Sequence, residues 1–122
     1  MPDTPDTPDT TASGEKIATY REFWPFYLGE HRKPLTRRLH YFGTSLGIAA
    51  VIVALVTQTW WLLAAAVFCG YFFAWIGHFF VEKNRPATFT YPVWSLFSDF
   101  RMLWRWATGR LAGDYERFGI PQ

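Results

Sequence analysis

The chain has 122 residues, of which 50% are hydrophobic, 20% aromatic and only 18% charged, and that length holds one domain. A net charge of +2 is too small to make a nucleic-acid surface, so no nucleic-acid partner is expected. The single cysteine, Cys69, lies in an apolar run, where it excludes an intrachain disulfide and reads as a small buried filler.

Residues 1–14 repeat Pro-Asp-Thr at Pro2, Pro5 and Pro8. Such a composition cannot bury enough apolar surface to offset the entropy of ordering, so a disordered tail is expected there. The start is acidic and proline-rich rather than basic and then apolar, which speaks against a cleavable signal peptide. Residues 15–122 read as a single helical domain. Its first helix is expected over residues 15–29, with Ser13 as N-cap and a stripe of Ile17, Tyr20, Phe23, Trp24, Tyr27 and Leu28. Pro25 inside it implies a kink or an interruption. This helix is too polar to span a membrane and should lie in the interface or pack over the end of the helices that follow.

A basic turn at residues 30–33 leads to Pro34, which suits the first position of a new helix. Residues 42–56 are apolar and free of charge, and residues 60–81 form a second uncharged run broken only by His78. Transmembrane helices are expected at about 41–57 and 60–81, joined by a polar turn at Thr57, Gln58 and Thr59. Trp60 and Trp61 sit where an interfacial aromatic belt belongs. Gly43 and Gly47 on the first helix, and Gly70 and Ala74 on the second, offer small faces for close packing. The competing reading is the buried core hairpin of a soluble bundle. Arg32, Lys33, Arg37 and Arg38 precede the hairpin and Lys83 and Arg85 follow it, while the turn has no basic residue. The positive-inside rule then places both termini in the cytoplasm, with the hairpin in the cell inner membrane.

Residues 92–108 carry an apolar stripe of Val93, Leu96, Phe97, Phe100, Leu103, Trp104 and Ala107, with Ser98, Arg101 and Arg105 on the other side. Charge at Asp99, Arg101 and Arg105 argues against spanning, so an amphipathic interfacial helix is expected. Gly109 is a natural stop, and residues 111–122 are polar. The fold class is therefore all-α: an integral membrane hairpin flanked by N- and C-terminal amphipathic interfacial helices.

His78 and Glu82 lie one α-helical turn apart, so in an α-helix they share a face at the mouth of the second span. With the turn centred near Gln58, His40 stands level with Gly77, beside His78. His31 precedes the Pro34 break, and a turn there folds it back over the same mouth. All three histidines of the chain thus converge with a carboxylate at hand, a donor set suited to a first-row transition metal. The alternative is that each histidine is an interfacial hydrogen-bonding residue. Asp99 is a second candidate carboxylate for the chemistry, with a solvated helix face as the plainer reading.

The pattern His31-x-x-Pro34, His40, Gly43, then Gly77-His78-x-x-x-Glu82 with Pro86 and Ala87 resembles a family of small membrane proteins. That family, long catalogued as a domain of unknown function, includes the fungal 2-hydroxy fatty acid dioxygenase of phytosphingosine breakdown. The resemblance runs from Glu22 to Leu111. It implies an iron(II)-dependent dioxygenase that uses dioxygen to shorten a lipid-like 2-hydroxy fatty acid by one carbon. It also implies His31, His40 and His78 as metal ligands, and Glu82 as fourth ligand or general base. The fungal relatives carry more hydrophobic segments after the Glu82 region, so the acyl-binding surface is expected to differ. A non-catalytic membrane scaffold or subunit with interfacial histidines is the alternative function.

Overall fold

The computed structural model describes residues 16–122, and the expected tail and the Ser13 cap lie outside them. The described residues form helices with no strand. They are α1 (Tyr20–Gly29), α2 (Pro34–Thr57), α3 (Trp61–Ile76), α4 (Pro92–Ala107) and α5 (Leu111–Arg117). A π-helical segment, Gly77–Glu82, extends α3, and a 3₁₀ turn, Ala87–Phe89, precedes α4.

The first helix begins later than expected, because Thr19 supplies its cap by accepting from the Glu22 amide. Pro25 does not interrupt it, and α1 runs through that position to Gly29. Pro34 opens α2 at its first turn, where a missing amide proton costs nothing. The turn between α2 and α3 is made by Gln58 in the left-handed region, φ 57°, with its amide on the Ala54 carbonyl.

Two helices, Pro34–Thr57 and Trp61–Glu82, are long and apolar enough to cross a membrane. Only 28% and 22% of their most apolar stretches are buried, unlike the core hairpin of a soluble bundle. Ile52, Leu55, Val56, Val67 and Phe68 point outward, and water would leave a far larger apolar patch than soluble proteins tolerate. The α2–α3 seam is close because Gly43 and Gly47 line it. A Cβ on Gly43 would stand 2.7 Å from the Cys69 carbonyl oxygen, and one on Gly47 would stand 3.1 Å from that of Ala66. Gly70 takes no part in that contact: a Cβ there would meet nothing within 4 Å.

The most tightly packed core lies at the open end of the hairpin. Phe23, Trp24, Tyr27 and Leu28 of α1 meet Met102 of α4 and Leu111 and Tyr115 of α5 there. The helix α4 is turned opposite to a helix in water. Its apolar stripe (Val93, Phe97 and Trp104 are 58–75% exposed) faces out, while Ser95, Ser98 and Met102 face in. Arg101, on the inward side, lies over the Trp24 ring at 4.1 Å, and Arg105 holds Asp114 through two hydrogen bonds of 2.9 and 2.7 Å. The polar C-terminal residues thus become a structural element: α5 straps the cap.

Candidate metal centre

His31 leaves the end of α1, His40 lies two turns into α2, and His78 sits in the π-helical segment. All three are buried, with exposures of 1%, 4% and 3%. Their rings stand nearly edge-on to one another, at 77–87°, with centroids 4.3 to 5.1 Å apart. One ring nitrogen from each lies within 4.8 Å of the others.

The backbone decides which nitrogen that is. His31 Nδ1 lies 2.7 Å from the Tyr27 carbonyl oxygen and His40 Nδ1 lies 3.2 Å from that of Thr36. A carbonyl only accepts, so both Nδ1 atoms carry the proton. His78 Nδ1 lies 2.7 Å from Asn84 Oδ1, and the Asn84 amide nitrogen donates to the Glu30 carbonyl, which fixes the amide's orientation. His78 therefore also carries its proton on Nδ1. Three neutral imidazoles keep their Nε2 lone pairs free, and those of His31 and His40 face each other at 3.0 Å. Two nitrogens bound at right angles, each about 2.1 Å from one metal ion, would stand about 3 Å apart. The donor set fits a metal ion, with each far nitrogen anchored as metal-binding histidines require. The lined space at this point is about 10 Å³, enough for one small occupant.

Burial, followed by the neighbouring His40 and His78, holds the His31 pKa well below its ordinary 6.5. The two carboxylates expected at the site part company. Asp99 is no solvated surface group: its side chain is 16% exposed, with Oδ1 3.9 Å from His40 Nε2 and accepting from the Tyr27 hydroxyl. Burial pushes its carboxyl from 3.8 up to about 7, against the opposing pull of that hydroxyl. Burial and then Asp99 raise Tyr27 well above 10. Glu82 does not join the histidines, and its carboxylate accepts from the Lys33 backbone amide. The physical reason lies in their partners: the Lys33 amide takes the Glu82 carboxylate, while the Asn84 side chain holds the His78 ring. His78 then points inward while Glu82 stays at the rim.

Several residues of the site were not foreseen. Lys83, in the left-handed region at φ 61°, and Asn84 both donate their amides to the His78 carbonyl, and the chain reversal brings the Asn84 side chain back to His78. Tyr115 donates to the carbonyls of Leu28 (3.0 Å) and His31 (2.7 Å), and Arg37 Nη1 donates to those of His31 and Arg32, both at 2.8 Å. Only Tyr27 left a trace in the sequence, four residues ahead of His31 and so over its ring, at 4.2 Å between centroids.

No curated protein and no solved structure matches the chain. Residues 17–111, which hold α1 to α4 and every histidine, match the family described as 2-hydroxy-palmitic acid dioxygenase Mpo1-like. The chain belongs to that Mpo1-like family.

Proposed function

We propose that this protein is a membrane-bound, iron(II)-dependent dioxygenase that shortens 2-hydroxy fatty acids by one carbon. The observation that carries this reading is the set of three buried imidazoles, each held by its Nδ1 so that Nε2 is left for a metal. Burial at 1–4% exposure also speaks against interfacial histidines on a passive scaffold. The family name supports the dioxygenase class and the 2-hydroxy acid.

His31, His40 and His78 would hold the iron, which when bound supplies electrons and open coordination positions for dioxygen and substrate. In the overall change the bond between C1 and C2 breaks. One dioxygen is consumed, C1 leaves as carbon dioxide, C2 becomes the new carboxyl and one water forms. Asp99, with its carboxyl near 7, would hold or release a proton beside the substrate's polar end. Tyr27 orients that carboxylate through its hydroxyl. Glu82 ties the end of the second span to the Lys33 backbone amide, two residues beyond His31. Arg32, Lys33, Arg37, Arg38, Lys83 and Arg85 all lie at the open end of the hairpin, which supports a cytoplasmic site and cytoplasmic termini. An inner-membrane location follows from the same reading.

The test is direct. Purified protein loaded with iron(II) should consume dioxygen with 2-hydroxy-palmitic acid and release the acid one carbon shorter, and omission of iron should abolish both. Iron-loaded, folded protein that yields no shortened product would overturn the assignment.

A further inference from the structure

A second cavity, of about 170 Å³, opens beside the histidines between α2, α3 and α4. Thr44, Gly47 and Val51 line one wall and Ala66, Val67 and Gly70 another, with Leu96 and Phe100 at the rim. It shares Tyr71 and Asp99 with the space around the histidines, so the two lie side by side. From Thr44 to Val51 it follows α2 away from His40 for roughly 10 Å, at about 1.5 Å per residue. Leu96, Phe100 and Val67 are 45–60% exposed, so the groove is open sideways to whatever surrounds the hairpin.

Two features distinguish it from an ordinary gap between helices. Gly70 lies in a helix, where glycine is unfavourable, yet it permits no close approach of backbone. Its missing side chain leaves the groove open instead. At the histidine end, Ser95 is 2% exposed and its hydroxyl has no hydrogen-bond partner. Ser95 lines the histidine space one turn before Asp99, so a buried polar group awaits a polar ligand beside the apolar groove.

We propose that this groove holds the alkyl chain of the acid, admitted sideways from the bilayer, with its hydroxy-carboxyl end at Ser95 and Asp99. Gly70 sets how long a chain the groove admits. The assignment rests on the dioxygenase reading for the identity of the acid, and on the adjacency of the two cavities for its place.

The test uses the full chain in detergent, without dioxygen, and 2-hydroxy-palmitic acid carrying a diazirine midway along its chain, where the groove ends. Irradiation should attach the probe to groove residues such as Val51 and Val67. Gly70→Leu should lower that labelling at least on the order of 10-fold, since a single misfitting methylene in an apolar pocket already costs about that much. The same change should lower the affinity for 2-hydroxy-palmitic acid more than that for 2-hydroxy-octanoic acid. Val56→Leu, on the outer surface near the turn, should leave labelling as it is. Labelling scattered over the outer surface, or undiminished in Gly70→Leu, would overturn the proposal, and the wild-type map alone can do so if the variant fails to fold. Attachment requires neither iron nor dioxygen. Groove labelling in a protein that never turns the acid over supports the groove and removes only the dioxygenase reading. Turnover without groove labelling removes the groove alone.

Discussion

His31 Nε2 and His40 Nε2 face each other at 3.0 Å with a lone pair on each, because both rings spend their proton on a backbone carbonyl. That contact is repulsive unless a cation lies between the nitrogens, so the fold is shaped for a ligand. His78 is anchored differently, through the Asn84 side chain. Asn84→Ala should therefore weaken iron binding about 10- to 100-fold, the usual cost of losing a histidine's outer partner, while the protein stays folded. Iron titration followed by metal analysis checks it, and unchanged affinity would show that Asn84 does not orient the ring.

Tyr115 reaches His31 from the far end of the chain. Tyr115→Phe leaves the Leu28 carbonyl without that donor and removes one of the two donors on the His31 carbonyl. The expected cost is about 1–2 kcal/mol of stability, together with weaker iron binding as the His31 turn loosens. Thermal unfolding of the metal-free and iron-loaded forms should show a larger loss in the iron-loaded form.

The dependence on pH has opposing parts. Burial keeps His31 neutral in the folded chain well below 6.5, whereas the unfolded chain takes up that proton near 6.5. Below about pH 6.5 the unfolded state binds more protons, so metal-free protein loses stability as pH falls, by up to about 1.4 kcal/mol per pH unit for such a group. Asp99 acts with the other sign. Its folded carboxyl keeps a proton up to about 7 against 3.8 when unfolded, so its share of stability is lost as pH rises between those values. Asp99→Asn removes the second effect. Denaturant unfolding of that variant should show stability falling steadily as the pH is lowered below about 6.5, and a flat or rising profile would contradict the buried neutral histidine.

Topology gives a further check. A cysteine placed at Gln58, in the turn, should react with an impermeant thiol reagent added outside the cell, and one at Lys83 should not. The reverse pattern would place the histidines on the other side of the membrane.

Much of this architecture was legible in the sequence. Charge-free runs of spanning length, Pro34 at a helix start and glycines at Gly43 and Gly47 each state a local requirement that the fold meets. The convergence of the three histidines followed from counting back from one turn. What escaped depends on geometry that periodicity assumes. An α-helical spacing set Glu82 beside His78, whereas the Lys33 amide takes the Glu82 carboxylate and the Asn84 side chain takes the His78 ring. Hydrophobic spacing located the stripe on α4 but not whether it faces the protein or the bilayer, and it faces out. Asp99 looked solvated for the same reason. The strap of α5 had no pattern at all: a tyrosine hydroxyl and an Arg105–Asp114 pair are specified by partners distant in the chain or on another helix.

Iron stoichiometry in the wild type and the three histidine variants tests the central claim most directly. Wild-type protein, reconstituted with iron(II) without dioxygen and freed of excess metal, should retain one iron per chain. His31→Ala, His40→Ala and His78→Ala should each lose most of it while keeping their helical content, and the double variants should be little worse than the singles. A wild type that folds and never retains iron, or three alanine variants that keep it in full, would contradict the account.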